Sequence, residues 1–138
     1  MKKFESSVYT LPLPQETVFE KLSDLNNLSQ VSGYLPEDRV KIASLTSDSV
    51  TLEVQSLGTV SLSVVERESP KCVKFASVES PLAFNLWIQL LPQGESQSRM
   101  KITLGAELNP FIAAMAQKPL QDGVEQLADK LSKAFGNG

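Results

Sequence analysis

NPFIAAMAQKPLQDGVEQLADKLSKAF, residues 109–135, is the stretch whose reading decides the fold. Its apolar residues Phe111, Ile112, Met115, Leu120, Val124, Leu127, Ala128, Leu131 and Phe135 recur at the spacing of one helix face. Asn109 suits an N-cap, Pro110 suits the first helical position, and Gly136 ends the run. Pro119 falls inside the pattern, where proline removes a backbone donor. A bend that lets the helix follow a curved surface is expected there. A helix with one long apolar face needs a partner surface to bury it.

The residues before it supply that surface. Met100, Ile102, Leu104 and Ala106 alternate with Lys101, Thr103 and Gly105, and Phe84, Leu86, Ile88 and Leu90 alternate with Asn85, Trp87 and Gln89. The same period-two pattern runs through Val73 and Phe75, through Val60, Leu62 and Val64, through Val50, Leu52 and Val54, and through Val40 and Ile42. Residues 3–11 read as a first strand, making about seven in all. Short turns at 47–49, 57–58, 68–71 and 92–95 imply antiparallel pairing, and the alternation implies one buried and one wet face. After the first strand, Pro14 opens a short helix with Val18, Phe19 and Leu22 on one face, and residues 24–28 read as a second short helical turn. A loop over 29–38 follows, around Gly33 and Pro36. The expected fold is α+β: one domain over 1–138, with a curved antiparallel sheet wrapped around a long C-terminal helix.

Composition excludes several chemistries. The 138 residues carry 13 basic and 16 acidic side chains, a net charge of −3, with no basic block to track a nucleic-acid backbone. There is no histidine and a single cysteine, Cys72. That removes the commonest general base, an intrachain disulfide and the usual zinc ligand set. No cofactor and no metal are expected. Met1-Lys2-Lys3 is followed by Phe4-Glu5-Ser6-Ser7 rather than an apolar core, so a signal peptide is not expected. No apolar run approaches membrane-spanning length, so membrane insertion is not expected and the cytoplasm is the default location.

The order of elements resembles the helix-grip fold of the START-like, or SRPBCC, superfamily, which includes polyketide cyclase/dehydratase-like proteins and lipid-transfer domains. The resemblance is carried by TLPLPQETVFEKLSD at 10–24, similar to the entry into the first helices, and by Asn109-Pro110-Phe111 through Leu131, similar to the closing helix. It implies a cavity between sheet and helix that takes apolar small molecules, and no invariant catalytic set.

Parity then names the side chains of such a cavity: Val54, Leu62, Phe75, Ser77, Phe84, Leu86, Met100 and Ile102 from the sheet. Phe111, Met115 and Leu120 come from the helix, and Tyr34 stands at the mouth. Val8 belongs to the same apolar parity, and the polar residues that share it are Ser6, Ser44, Ser56, Ser77 and Ser98, with Glu66 and Glu79 near strand ends. An apolar space with a few hydroxyls suits a hydrophobic ligand oriented by one or two hydrogen bonds. It does not suit acid–base chemistry. Two other readings stand beside a binder or carrier of a small hydrophobic molecule. One is a protein-interaction module with a filled core, or a homodimer formed through the outer sheet face near Trp87. The other is an enzyme of the cyclase/dehydratase type, against which the absence of histidine and of paired acids counts.

Overall fold

The computed structural model describes residues 2–24, 40–54, 58–79 and 83–137; for Val40, Val54, Glu79, Ile112, Ala116, Pro119 and Asn137 it describes the backbone alone. The strands are β1 (Lys2–Glu5), β2 (Tyr9–Leu11), β3 (Val40–Leu45), β4 (Ser49–Val54), β5 (Gly58–Glu68), β6 (Cys72–Glu79), β7 (Phe84–Gln93) and β8 (Gln97–Ala106). Helix α1 (Gln15–Ser23) follows β2, and helix α2 (Pro110–Ser132) closes the chain with a final widened turn at Lys133–Asn137. The expected second helical turn after α1 lies outside the described residues.

All eight strands form one antiparallel sheet in the order β1-β8-β7-β6-β5-β4-β3, with β2 also on β8. The single first strand expected over 3–11 is two strands, and Ser6 is the cause. Its backbone N–H donates to the Ile102 carbonyl at 2.8 Å, but the Ile102 N–H donates to the Ser6 side-chain oxygen at 2.9 Å. A side chain thus takes the place of a ladder carbonyl, and the strand breaks. Val8, expected on the buried face, lies in that break and is exposed.

Helix α2 runs unbroken from Pro110 to Ser132, so Pro119 does not interrupt it. Gly136 ends the following turn at φ 111°, a left-handed conformation natural to glycine. Three polar side chains, spaced one turn apart, stitch α2 to the first strands. Gln117 Oε1 accepts from Lys2 Nζ at 3.0 Å, Gln121 Nε2 donates to the Glu5 carbonyl at 2.7 Å, and Glu125 Oε1 accepts from the Ser7 N–H at 2.9 Å. The helix backbone accordingly approaches β8, β1 and β2. Helix α1 packs instead on β6, β7 and β8, burying Val18, Phe19 and Leu22.

Arg67 closes the end of the sheet beneath α1. Its Nη2 donates to the Ser23 carbonyl at 2.8 Å and to Asp48 Oδ1 at 2.6 Å, joining the last turn of α1 to the β3–β4 turn. Gln15, buried, donates from Nε2 to the Leu90 carbonyl at 3.0 Å.

Candidate functional site

The two ends of the space between sheet and helix differ in how well they are filled. At the α1 end the inward side chains Val73, Ile88, Leu90, Met100 and Ile102 are buried, together with Leu11 and Val18. Along the same strands toward the N-terminal end of α2, burial gives way. Ser77 on β6, Phe84 and Leu86 on β7 and Leu104 on β8 share the inward parity and are only half-buried. Helix α2 repeats the trend: Val124, Ala128 and Leu131 are buried, whereas Leu120 is half-buried. Those inward side chains are reached by solvent, so this end is the more open of the two. The trend is absent on β5, where Val60 and Leu62 are both buried, and it is interrupted at the same end by Phe4 on β1 and Ala106 on β8, which are buried too.

Of the expected cavity residues, Ser77, Phe84, Leu86 and Leu120 therefore lie in the open end. Leu62 and Phe75 are buried beside it, and Met100 and Ile102 are fully buried in packed core. Phe111 and Met115 depart from expectation: they are 78% and 70% exposed, on the face of α2 turned away from the sheet. The apolar periodicity included them because the first turns of α2 are apolar on more than one side. Tyr34 lies outside the described residues, as does Ser56, and of Val54 only the backbone is described.

Bulges change the polar inventory. Between Ile42 and Ser44 the β3–β4 register shifts, so that Leu45 faces Val50 and Ser44 faces Thr51. Ser44 is thereby moved to the outer face and is exposed. A second shift between Val64 and Glu66 sets Glu66 opposite Lys74 on the outer side. A third sets position 79 opposite Ser61, also on the outer parity. Of the expected pair, Glu66 is therefore off the inward face. Ser98 is fully buried at the closed end, its hydroxyl without a hydrogen-bond partner among the described residues. Ser6 is committed to the Ile102 amide. Ser77 is the expected hydroxyl found at the open end: its oxygen accepts from the Phe84 N–H at 3.1 Å, and its hydrogen has no acceptor among the described residues.

A titratable cluster lies on the opposite edge of α2. Glu125 accepts hydrogen bonds from the Tyr9 hydroxyl and from the Ser7 hydroxyl and amide. The Tyr9 bond, then the Ser7 amide, hold the Glu125 carboxyl below its ordinary range. Burial first, then the bond to Glu125, pushes Tyr9 up to about 12. Sequence reading missed this pairing, which joins distant parts of the chain; the only local signal was a glutamate on the sheet-facing side of the helix. The cluster is a latch between helix and strand, with its polar atoms committed to one another.

On the outer face, Trp87 sits opposite Thr103 and Lys74. The ammonium groups of Lys3 and Lys74 lie 5.6 and 5.5 Å from its ring centroid, so its own chain covers much of the indole. Lys101, on the same face, pairs with Glu5 at 3.1 Å. The Cys72 thiol is pushed up by burial, then by Glu68 and Glu66, against the opposing pull of Lys74, which makes it a poor nucleophile. Among the described residues no group of acids and cysteine could hold a metal ion, and no helix is long and apolar enough to cross a membrane.

No protein-family model and no curated relative match the sequence. Solved structures do share the architecture. A protein from Thermus thermophilus superposes with a TM-score of 0.68 at 19% identity, over 97% of each chain. A START superfamily protein from Mycobacterium smegmatis gives 0.66 at 14% identity, over 96% of each chain. Norcoclaurine synthase from Thalictrum flavum, in complex with dopamine and hydroxybenzaldehyde, gives 0.73 at 12% identity, over 96% of this chain and 84% of that one. The chain thus has the START-like helix-grip fold.

Proposed function

We propose that this protein binds and carries a small hydrophobic molecule, held between the sheet and the N-terminal half of α2. The observation that carries the reading is the half-exposure of Phe84, Leu86, Leu104 and Leu120 on surfaces that face each other. Apolar area left in contact with water costs about 25 cal/mol per Å² relative to burial, and a ligand with an apolar body recovers that term. Ser77 offers the ligand one donor, enough to orient a carbonyl or hydroxyl. A structure of the same fold holds dopamine and hydroxybenzaldehyde, which supports small aromatic molecules as the class.

The reading assigns no reaction. The titratable pair Tyr9 and Glu125 is engaged with itself on the other edge of the helix. The hydroxyl at the open end has no base among the described side chains to activate it.

Native mass spectrometry of gently purified protein tests this. A mass excess that vanishes on denaturation is expected, and its value begins to identify the ligand. A bare mass, together with no binding of hydrophobic probes such as anilinonaphthalene sulfonate, would overturn the proposal.

A further inference from the structure

At the open end a side chain completes the β6–β7 ladder. Ala76 and Asn85 form the last regular rung. Beyond it the Phe84 N–H donates to Ser77 Oγ at 3.1 Å, where a continued ladder would offer a carbonyl. Ser77 lies opposite Leu62 of β5, on the inward parity, so the Phe84 amide fixes this hydroxyl in the open end.

A serine hydroxyl has one proton and two lone pairs. The Phe84 amide takes one lone pair, and the proton has no acceptor among the described residues. Accepting that bond polarises the O–H and makes it a better donor. The inward side chains around it, Leu62, Phe84, Leu86, Leu104 and Leu120, carry neither charge nor hydrogen-bonding group.

A count of protons then separates ligands that displace water from this space. A ketone, aldehyde or ester oxygen accepts the Ser77 proton and leaves none unpaired. An alcohol brings a second proton, and two oxygens share only one hydrogen bond, so one proton stays unpaired. A hydrocarbon leaves the Ser77 proton itself unpaired. A donor desolvated without a partner is unfavourable. A carboxylate or ammonium would meet no opposite charge among these side chains.

We infer that Ser77 is the specificity-determining residue of the open end and selects a neutral carbonyl group on a hydrophobic body. This rests on the carrier reading and narrows it.

Three ligands of one shape test it on the full chain: methyl naphthyl ketone, the alcohol obtained by reducing it, and the corresponding ethylnaphthalene. Each is measured by displacement of anilinonaphthalene sulfonate. The parent should hold the ketone roughly tenfold more tightly than the alcohol. Ser77→Ala should weaken the ketone roughly tenfold and leave the ethyl compound as tight or tighter. Ser77→Thr, which keeps a hydroxyl, should keep the ketone. The carbonyl stretch of the bound ketone should lie below its value in hexane with the parent and rise in Ser77→Ala.

An alcohol as tight as the ketone in the parent would overturn the inference, as would a carbonyl stretch unchanged from hexane. These two readings use the parent alone, so they decide even if Ser77→Ala does not fold. In folded Ser77→Ala, an equal change for the ketone and the ethyl compound would also overturn it. Ethylnaphthalene binding without a ketone preference removes this inference and leaves the carrier reading standing. No binding of any of the three, nor of the probe, removes both.

Discussion

Tyr9 of β2 donates its phenolic hydrogen bond to Glu125 of α2, joining positions 116 residues apart. With the neighbouring bonds of Gln121 and Gln117, it fastens one long edge of the closing helix to the start of the chain.

Glu125→Ala removes the acceptor of three hydrogen bonds and should cost about 2 kcal/mol, with Glu125→Gln costing less because its amide oxygen still accepts from Tyr9. The pH dependence has two limbs. Glu125 has a folded pKa below its ordinary 4.5, so its contribution is present above that value and is lost as pH falls through the lowered one. Tyr9 has a folded pKa raised from 10.0 to about 12, so its contribution is present below 10.0 and is lost as pH rises toward 12. Melting temperatures of parent and Glu125→Ala across pH should converge on both limbs. A constant gap down the acid limb would contradict the assignment.

Arg67→Ala should destabilise the fold by about 1 kcal/mol, because the Ser23 carbonyl loses a charged donor at the helix end and Asp48 loses its partner. Arg67→Lys should recover little of it, since one ammonium cannot reproduce the guanidinium fork. Urea unfolding of the three proteins decides this, and full recovery by lysine would contradict it.

The two ends of the interior should answer substitution differently. Met100→Ala, in packed core, should cost about 3 kcal/mol through the cavity it leaves. Leu86→Trp, at the open end, should change stability little while blocking uptake of anilinonaphthalene sulfonate. Calorimetry and probe fluorescence on the same preparations separate the effects. Severe destabilisation by Leu86→Trp would mean the open end is packed.

The helix, the strands and the parity of β6, β7 and β8 were legible because burial on one face forces a period, and Phe84, Leu86, Ile88 and Leu90 display it without interruption. The bulges were not read, although they leave a trace: Ile42 to Leu45 is a step of three where a regular strand steps by two, and Val64-Val65 sets two apolar residues side by side. That trace is a single residue long, too short for a periodicity to register, and it moved Ser44 and Glu66 off the inward face. Phe111 and Met115 fit the helical apolar pattern yet point outward, because a pattern reports spacing and not which of two apolar sides meets the sheet. The Tyr9–Glu125 bond and the fall in burial along β7 depend on how distant elements meet, which local sequence does not encode.

Backbone-amide NMR during titration with anilinonaphthalene sulfonate locates the binding site residue by residue. Shifts concentrated at Ser77, Phe84, Leu86, Leu104 and Leu120 are expected, with Leu90 and Met100 unmoved. Shifts confined to the outer face around Trp87, or no saturable shifts at all, would contradict a ligand space between sheet and helix.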